Sequence, residues 1–313
     1  MSVVHNQIEH FDVVIVGGGP GGLNAALILG RSLRKVALVD DNHPRHAVTY
    51  ESHGFLTRDG VKPAELRKIA HEQMEKYETV HRYTDVVTDI KQHGKQFITI
   101  TKSGEKYSSR KVIFATGMRD ELPEINGLHE IYGHSAFLCP YCDGWEHKGK
   151  ALGIIGNGDK IYRYSKEIHH WGKDLILFTN GDARLEREHL NDIKRHGITV
   201  IEDKIQRIDS ANGQLSELVL ESGQRIKREC LFLGDMLQKQ ASTIPRHLGI
   251  ETNSNGSYKT EKHGRTNIEG FFIIGDARNV FSGVVKAACE GYEVAEIANN
   301  QLIEEDWHNQ SQG

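Results

Sequence analysis

Residues 11–22 read FDVVIVGGGPGG and lead into the apolar helical pattern LNAALILGRS. A short apolar run that breaks into glycines and resumes with helical periodicity folds as strand, tight turn and helix. Within it, Gly17-x-Gly19-x-x-Gly22 puts a glycine wherever a side chain would obstruct. The first permits the turn, the second lets backbone approach a pyrophosphate, and the third lets the helix pack on the strand. The phosphate charge then sits at the helix N-terminus. Asp40 closes the next strand, VALVD, where a carboxylate reaches an adenosine ribose. Alone the glycine spacing is weak evidence. The strand before it, the helix after it and the acid beyond make it a dinucleotide cradle.

A second unit repeats the arrangement about 140 residues later: ALGIIGNG (151–158), the helix-like DKIYRYSKEIHHWG, and the strand LILFTN. Gly156 and Gly158 hold its turn. Two strand–turn–helix–strand units predict an α/β protein of two Rossmann-like, three-layer domains. The length of 313 residues suits two domains at roughly 150 residues each. QFITITK (96–102) and KVIFATG (111–117) read as a β-meander returning to the first sheet. FFIIGDA (271–277) adds a strand and turn before a long helical pattern at 284–305. The second domain is therefore expected inside the first: 1–117 and 242–313 form the cofactor domain, and 118–241 the insertion. Gly117 ends one strand of the first domain. Gly275-Asp276 ends another and can offer a carboxylate to a polyol hydroxyl. With the first cradle, this fits FAD better than free NAD. The polar tail DWHNQSQG is expected to fray.

The third motif is Cys139-Pro140-Tyr141-Cys142-Asp143-Gly144. Two cysteines at a helix start can be kept as thiolate by the helix dipole, and Asp143 can act as acid or base toward them. Only four cysteines occur in the chain, too few for a disulfide framework in a protein this long. A zinc site would need two further ligands. There is no second CxxC, but His134 and His147 lie nearby, so spacing alone leaves a Cys2His2 site open beside the redox reading. Cys230 and Cys289 sit in apolar contexts and are expected to be buried, inert thiols.

Composition narrows the function classes. The formal net charge is −4, which argues against nucleic acid, whose binding domains are usually basic. No apolar run approaches the roughly 18 residues of a membrane span. The start MSVVHNQIEHF lacks a secretory pattern, so a cytoplasmic protein is expected. Among 18 histidines, His46 and His53 flank a segment where one could relay protons near neutral pH. His169 and His170 are expected at the surface.

The order GGGPGG, ATG, CPYCDG, GxG, GDA across nearly the whole chain resembles the low-molecular-weight thioredoxin reductases and related FAD flavoproteins. That resemblance implies bound FAD, a homodimer, and a Cys139–Cys142 redox pair in which Cys142 faces the flavin and Cys139 meets the substrate. It implies Asp143 as the acid beside the pair, and Gly17, Gly19, Gly22, Gly275 and Asp276 as FAD contacts. The stretch His53–Gly60 is similar to a subgroup that includes dithiol oxidases of small molecules. The second glycine turn departs from the pattern. A small residue has become Ile161, whose bulk is expected to disturb helix–strand packing, and two carboxylates have become Arg163 and Tyr164. The phosphate-gripping arginines are reduced to Arg184. Charge-assisted forks of that kind select NADPH, so NADPH and NADH use are both expected to be weak. The reading is an FAD-dependent thiol–disulfide oxidoreductase acting on a thioredoxin-like protein or a small disulfide or dithiol. An oxygen-dependent dithiol oxidase, an NADPH-dependent thioredoxin reductase and a non-enzymatic FAD-binding redox sensor are its rivals.

Overall fold

The computed structural model describes residues 8–310; most of the segment on which the reading of a leader depends lies outside them. The chain divides into two compact units. The first comprises 1–45, 64–119 and 238–313, and the second 46–63 and 120–237.

The first unit is built on a seven-stranded sheet. Val80–Thr84, Val36–Asp40, Glu9–Val16 and Lys106–Phe114 run parallel, with Val13 opposite Val36 and Val14 opposite Val112. Lys106–Phe114 continues antiparallel into Gln96–Thr101 and Val87–His93, which is the expected meander. Phe271–Ile273 adds a further parallel strand on Lys106–Phe114. Val13 to Val16 are all buried, because a central parallel strand is covered on both faces and cannot alternate. One face carries the helices Pro20–Arg31 and Gly283–Gln310. These two cross backbone to backbone: a Cβ at Gly291 would lie 2.1 Å from the Gly21 carbonyl oxygen. Asn24 Nδ2 donates across the crossing to the Ala288 carbonyl at 2.6 Å.

The polar tail is more ordered than its composition suggests, since the helix runs to Gln310. Asp306 accepts from Arg34 at 2.7 Å and Arg110 at 2.6 Å, and these partners hold its carboxyl below the usual range. Cys289 is likewise not buried. The buried stripe of that helix passes through Ala287, Glu290, Gly291, Val294 and Ala298, and position 289 falls outside it. Cys230, in contrast, is buried as expected, and burial pushes its thiol pKa up.

The second unit has a five-stranded parallel sheet: Thr199–Ile201, Leu175–Phe178, Leu152–Ile155, Cys230–Leu233 and Ala136–Phe137. Helices Lys160–Trp171 and Arg187–Arg195 pack with it, and Ile161, Ile168 and Ile193 enter one core with Ile154 and Leu177. An antiparallel meander, Ile205–Ala211, Gln214–Leu220 and Arg225–Lys227, completes the unit.

Candidate active site

In the first unit, Gly17 has φ +103°, and a Cβ there would lie 2.5 Å from the Ala115 carbonyl oxygen. A Cβ at Gly22 would lie 1.9 Å from the Gly17 carbonyl oxygen. Both glycines are thus required by the protein's own backbone. Gly19 differs: a Cβ there would meet nothing within 4 Å. Its side faces open space at the N-terminus of the Pro20–Arg31 helix, which no side chain caps. Asp40 Oδ1 accepts from the Gly18 amide at 2.7 Å. Its Oδ2 accepts from Arg67 at 2.6 Å and from the Asn42 amide at 3.2 Å. A carboxylate offers about four acceptor positions, so one remains for a ribose hydroxyl. Thr116 Oγ1, at the end of the neighbouring strand, is buried without a partner. A cradle that a side chain would fill, an acid with spare capacity and an orphaned hydroxyl fit a dinucleotide such as FAD.

Asp276 is more committed. Its Oδ2 accepts from Arg45 at 2.7 Å, while Oδ1 accepts from the amide and hydroxyl of Ser282, both at 2.7 Å. It therefore clasps the 280–282 turn. Gly275, at φ +68°, gives its amide to Glu290 at 2.7 Å. Gly117, at φ +70°, accepts from the Ala241 amide. Arg67 and Glu290, both 7% exposed, are the residues of this region that motif reading misses. They belong to no glycine motif, and only the fold brings them to the turn.

The second glycine turn is closed by its own residues. Ile161 is fully buried, and a Cβ at Gly156 or Gly234 would meet its Cδ1 at 2.4 or 2.5 Å. The expected packing disturbance does not arise, because two glycines at the ends of the facing strands surrender the volume. Asn157 Oδ1 accepts the amides of Gly158 at 2.8 Å and Arg184 at 2.7 Å. Its Nδ2 donates to the carbonyls of Thr179 and Asp182, each at 3.0 Å. Asp159 accepts the Glu186 amide at 2.8 Å. The amides of Gly158, Arg184 and Glu186, donors a phosphate could use, are thus taken by side chains of the turn itself. Tyr164, standing where a carboxylate was expected, donates its hydroxyl to the Leu138 carbonyl at 2.8 Å. That tether ends one residue before Cys139.

Cys139 and Cys142 form a disulfide with Cα atoms 5.3 Å apart. Cys139 is extended and caps the helix Pro140–Asp143; its carbonyl accepts the Cys142 and Asp143 amides at 3.1 and 3.2 Å. The helix is a single turn, so its dipole is far smaller than the sequence reading supposes. Burial pushes the Asp143 carboxyl up to about 7; the charge on His53 pulls it down and that on Glu146 pushes it up. His53 is enclosed by acids, with Glu51 and Glu146 at 3.7 Å and Asp59 at 3.6 Å. An imidazole among carboxylates beside a near-neutral acid can pass a proton to and from the pair. Glu51 and Glu146 carry no signature in the sequence, while Asp59 lies in the His53–Gly60 stretch without a role read for it. With both thiols in a disulfide, the zinc reading loses its cysteine ligands. His134 packs at a tilt against Tyr50, with centroids 4.4 Å apart, and His147 against Phe137 at 5.0 Å. Among the described residues no group of three His, Cys, Asp or Glu is placed to hold a metal.

A sequence profile of the pyridine nucleotide-disulphide oxidoreductases matches residues 11–295. The chain belongs to this family. As a member it is an oxidoreductase, and its fold is that of thioredoxin reductases. The structure of TrxB from Bacillus anthracis, named for thioredoxin reductase, is 35% identical, covering 95% of this chain and 99% of that one, with a TM-score of 0.90. That of HlmI is 30% identical over 99% and 97% of the two chains, with a TM-score of 0.92. The thioredoxin reductase tcpT of Claviceps purpurea is 27% identical over 93% of this chain and 94% of its own length. Relatives of this kind imply FAD, which the first cradle fits. Enzymatic activity removes the non-enzymatic sensor from consideration. No helix among the described residues is long and apolar enough to cross a membrane.

Proposed function

We propose that this oxidoreductase passes electrons between FAD, the Cys139–Cys142 pair and an external dithiol or disulfide, with little or no use of NADPH or NADH. The observation that carries the reading is the pairing of a redox disulfide and near-neutral Asp143 with a second glycine turn whose amides are already engaged. Gly17, Gly19, Gly22, Asp40 and Thr116 would hold the FAD, which supplies a two-electron partner for the dithiol.

In the oxidising direction a substrate thiolate attacks Cys139 Sγ. The new S–S bond forms as the Cys139–Cys142 bond breaks, and Cys142 leaves as thiolate. Neutral Asp143 protonates it, and His53 among its acids replenishes that proton. The second substrate thiol gives up its proton and attacks the substrate sulfur of the mixed disulfide, releasing Cys139 as a thiolate. The substrate has lost two electrons and two protons; the pair has gained both electrons and one proton, carried on Cys142, while the other proton passes to solvent and Cys139 stays a thiolate. Run backwards, the same steps reduce a disulfide; relative potentials set the direction.

The engaged amides of the second turn favour the oxidising direction, with molecular oxygen as final acceptor and hydrogen peroxide as product. A thioredoxin-like protein or a small disulfide is the partner in the other direction. A cytoplasmic homodimer is the setting expected from the sequence resemblance. The test is anaerobic titration of the FAD-loaded protein while following flavin absorbance. Dithiothreitol should bleach it stoichiometrically and NADPH only slowly. Fast stoichiometric bleaching by NADPH overturns the reading.

A further inference from the structure

A groove of about 570 Å³ opens beside the redox turn, lined by Tyr141, Arg163, Lys166, Glu167, His170 and Trp171. Arg163, Lys166, Glu167 and His170 fall at i, i+3, i+4 and i+7 of the helix Lys160–Trp171, so they share one face. Tyr141 is the residue between Pro140 and Cys142, and it is 77% exposed. Its ring meets Trp171 edge-on, with centroids 5.3 Å apart, and Trp171 meets His170 at the same distance. The indole lies directly on the redox turn, since a Cβ at Gly144 would come within 2.8 Å of Trp171 Nε1. The aromatic wall of the groove and the disulfide are therefore one rigid piece.

The charge of the groove is uneven. Its carboxylate, Glu167, accepts from Arg163 at 3.1 Å, and this pair is internally neutral. Lys166 is the remaining cation of the groove; its Nζ stands 4.1 Å above the Tyr162 ring, and its charge also helps to lower the Asp192 carboxyl. A groove of this size takes a drug-sized molecule.

We propose that this groove docks a small anionic thiol or disulfide, with a carboxylate on Lys166 and a flat apolar body against Tyr141 and Trp171. The inference rests on the redox role assigned above to Cys139 and Cys142, because only that role makes the occupant a substrate. A carboxylate paired with an ammonium at the rim, beside aromatic faces that exclude water, gains more than the same pair in bulk solvent.

The test uses the FAD-loaded full chain and an unreactive probe, bis(4-carboxyphenyl) sulfide, which is dianionic and has no S–S bond. Its neutral bis-carboxamide is the control, and titration calorimetry is the readout. The dianion should bind about tenfold more tightly than the amide, and added salt should erode the difference. Lys166→Gln should abolish the preference and leave amide binding unchanged, while Glu167→Gln should increase it. Equal affinity for the two probes, or a preference that survives in Lys166→Gln, overturns the proposal. The redox role is read separately, as loss of dithiol turnover in Cys142→Ser. Charge-selective binding together with unimpaired Cys142→Ser turnover would leave the groove an anion site and remove its occupant's status as substrate.

Discussion

Replacing Asp143 by Asn tests stability and chemistry together. The ordinary carboxyl value is 3.8, and burial raises this one to about 7. Between these values the folded chain holds a proton that the unfolded chain has released. Stability therefore falls as pH rises across that window and levels off above about 7. At about 1.4 kcal/mol per pH unit, the gap is worth about 4 kcal/mol as an upper bound. Asn cannot ionise, so the variant should lose this slope. Melting temperatures of wild type and Asp143→Asn should lie close together near pH 4. They should separate toward pH 8, with the variant the more stable. The chemistry should move the opposite way. Opening the disulfide needs the protonated acid, whose population halves near pH 7 and falls about tenfold per unit above it. Single-turnover reaction with excess dithiothreitol, scored by protein thiols after quenching and divided by the dithiothreitol thiolate fraction at each pH, should show that decline in wild type. In the variant the step should be about 10²-fold slower or more and flat in pH. Parallel melting profiles across pH 4–8, or an unchanged rate profile, would refute the account of Asp143.

Four further outcomes follow from the geometry. Gly19→Ala should leave the fold intact, because its Cβ meets nothing within 4 Å, yet lower the flavin-to-protein absorbance ratio. Gly22→Ala should lose both fold and flavin, since its Cβ lands 1.9 Å from a backbone oxygen. Asn157→Ala removes four hydrogen bonds of the second turn and should destabilise that unit by about 1–3 kcal/mol, read as a lower melting temperature. Cys142→Ser should retain bound FAD by absorbance and lose dithiol turnover.

What the sequence revealed depended on distance along the chain. The first cradle could be read because Gly17, Gly19, Gly22 and Asp40 fall within one strand–helix–strand unit, and the redox turn because its parts are adjacent. The partners of those groups could not be read in the same way. Arg67 reaches Asp40 from a different helix, and the acids around His53 come from both sides of it and from position 146. Ile161 shows the same limit in reverse. Its bulk reads as a defect locally, and the relief comes partly from Gly234, which follows the strand Cys230–Leu233 and has no motif of its own. The dipole argument at Cys139 failed because periodicity does not reveal that the helix there stops after one turn.

The backbone crossing of Gly21 and Gly291 sets an order of events during synthesis. The cradle forms at residues 17–22, but the helix that seals its flank begins at Gly283, and the strand Phe271–Ile273 that completes the central sheet precedes it only slightly. Residues 120–237 leave the ribosome before either. The disulfide-bearing unit can therefore fold while the cofactor unit is still an open sheet with one apolar face uncovered. FAD capture becomes a late step, and the growing chain depends on chaperones most during the stretch between the two halves of its own first domain.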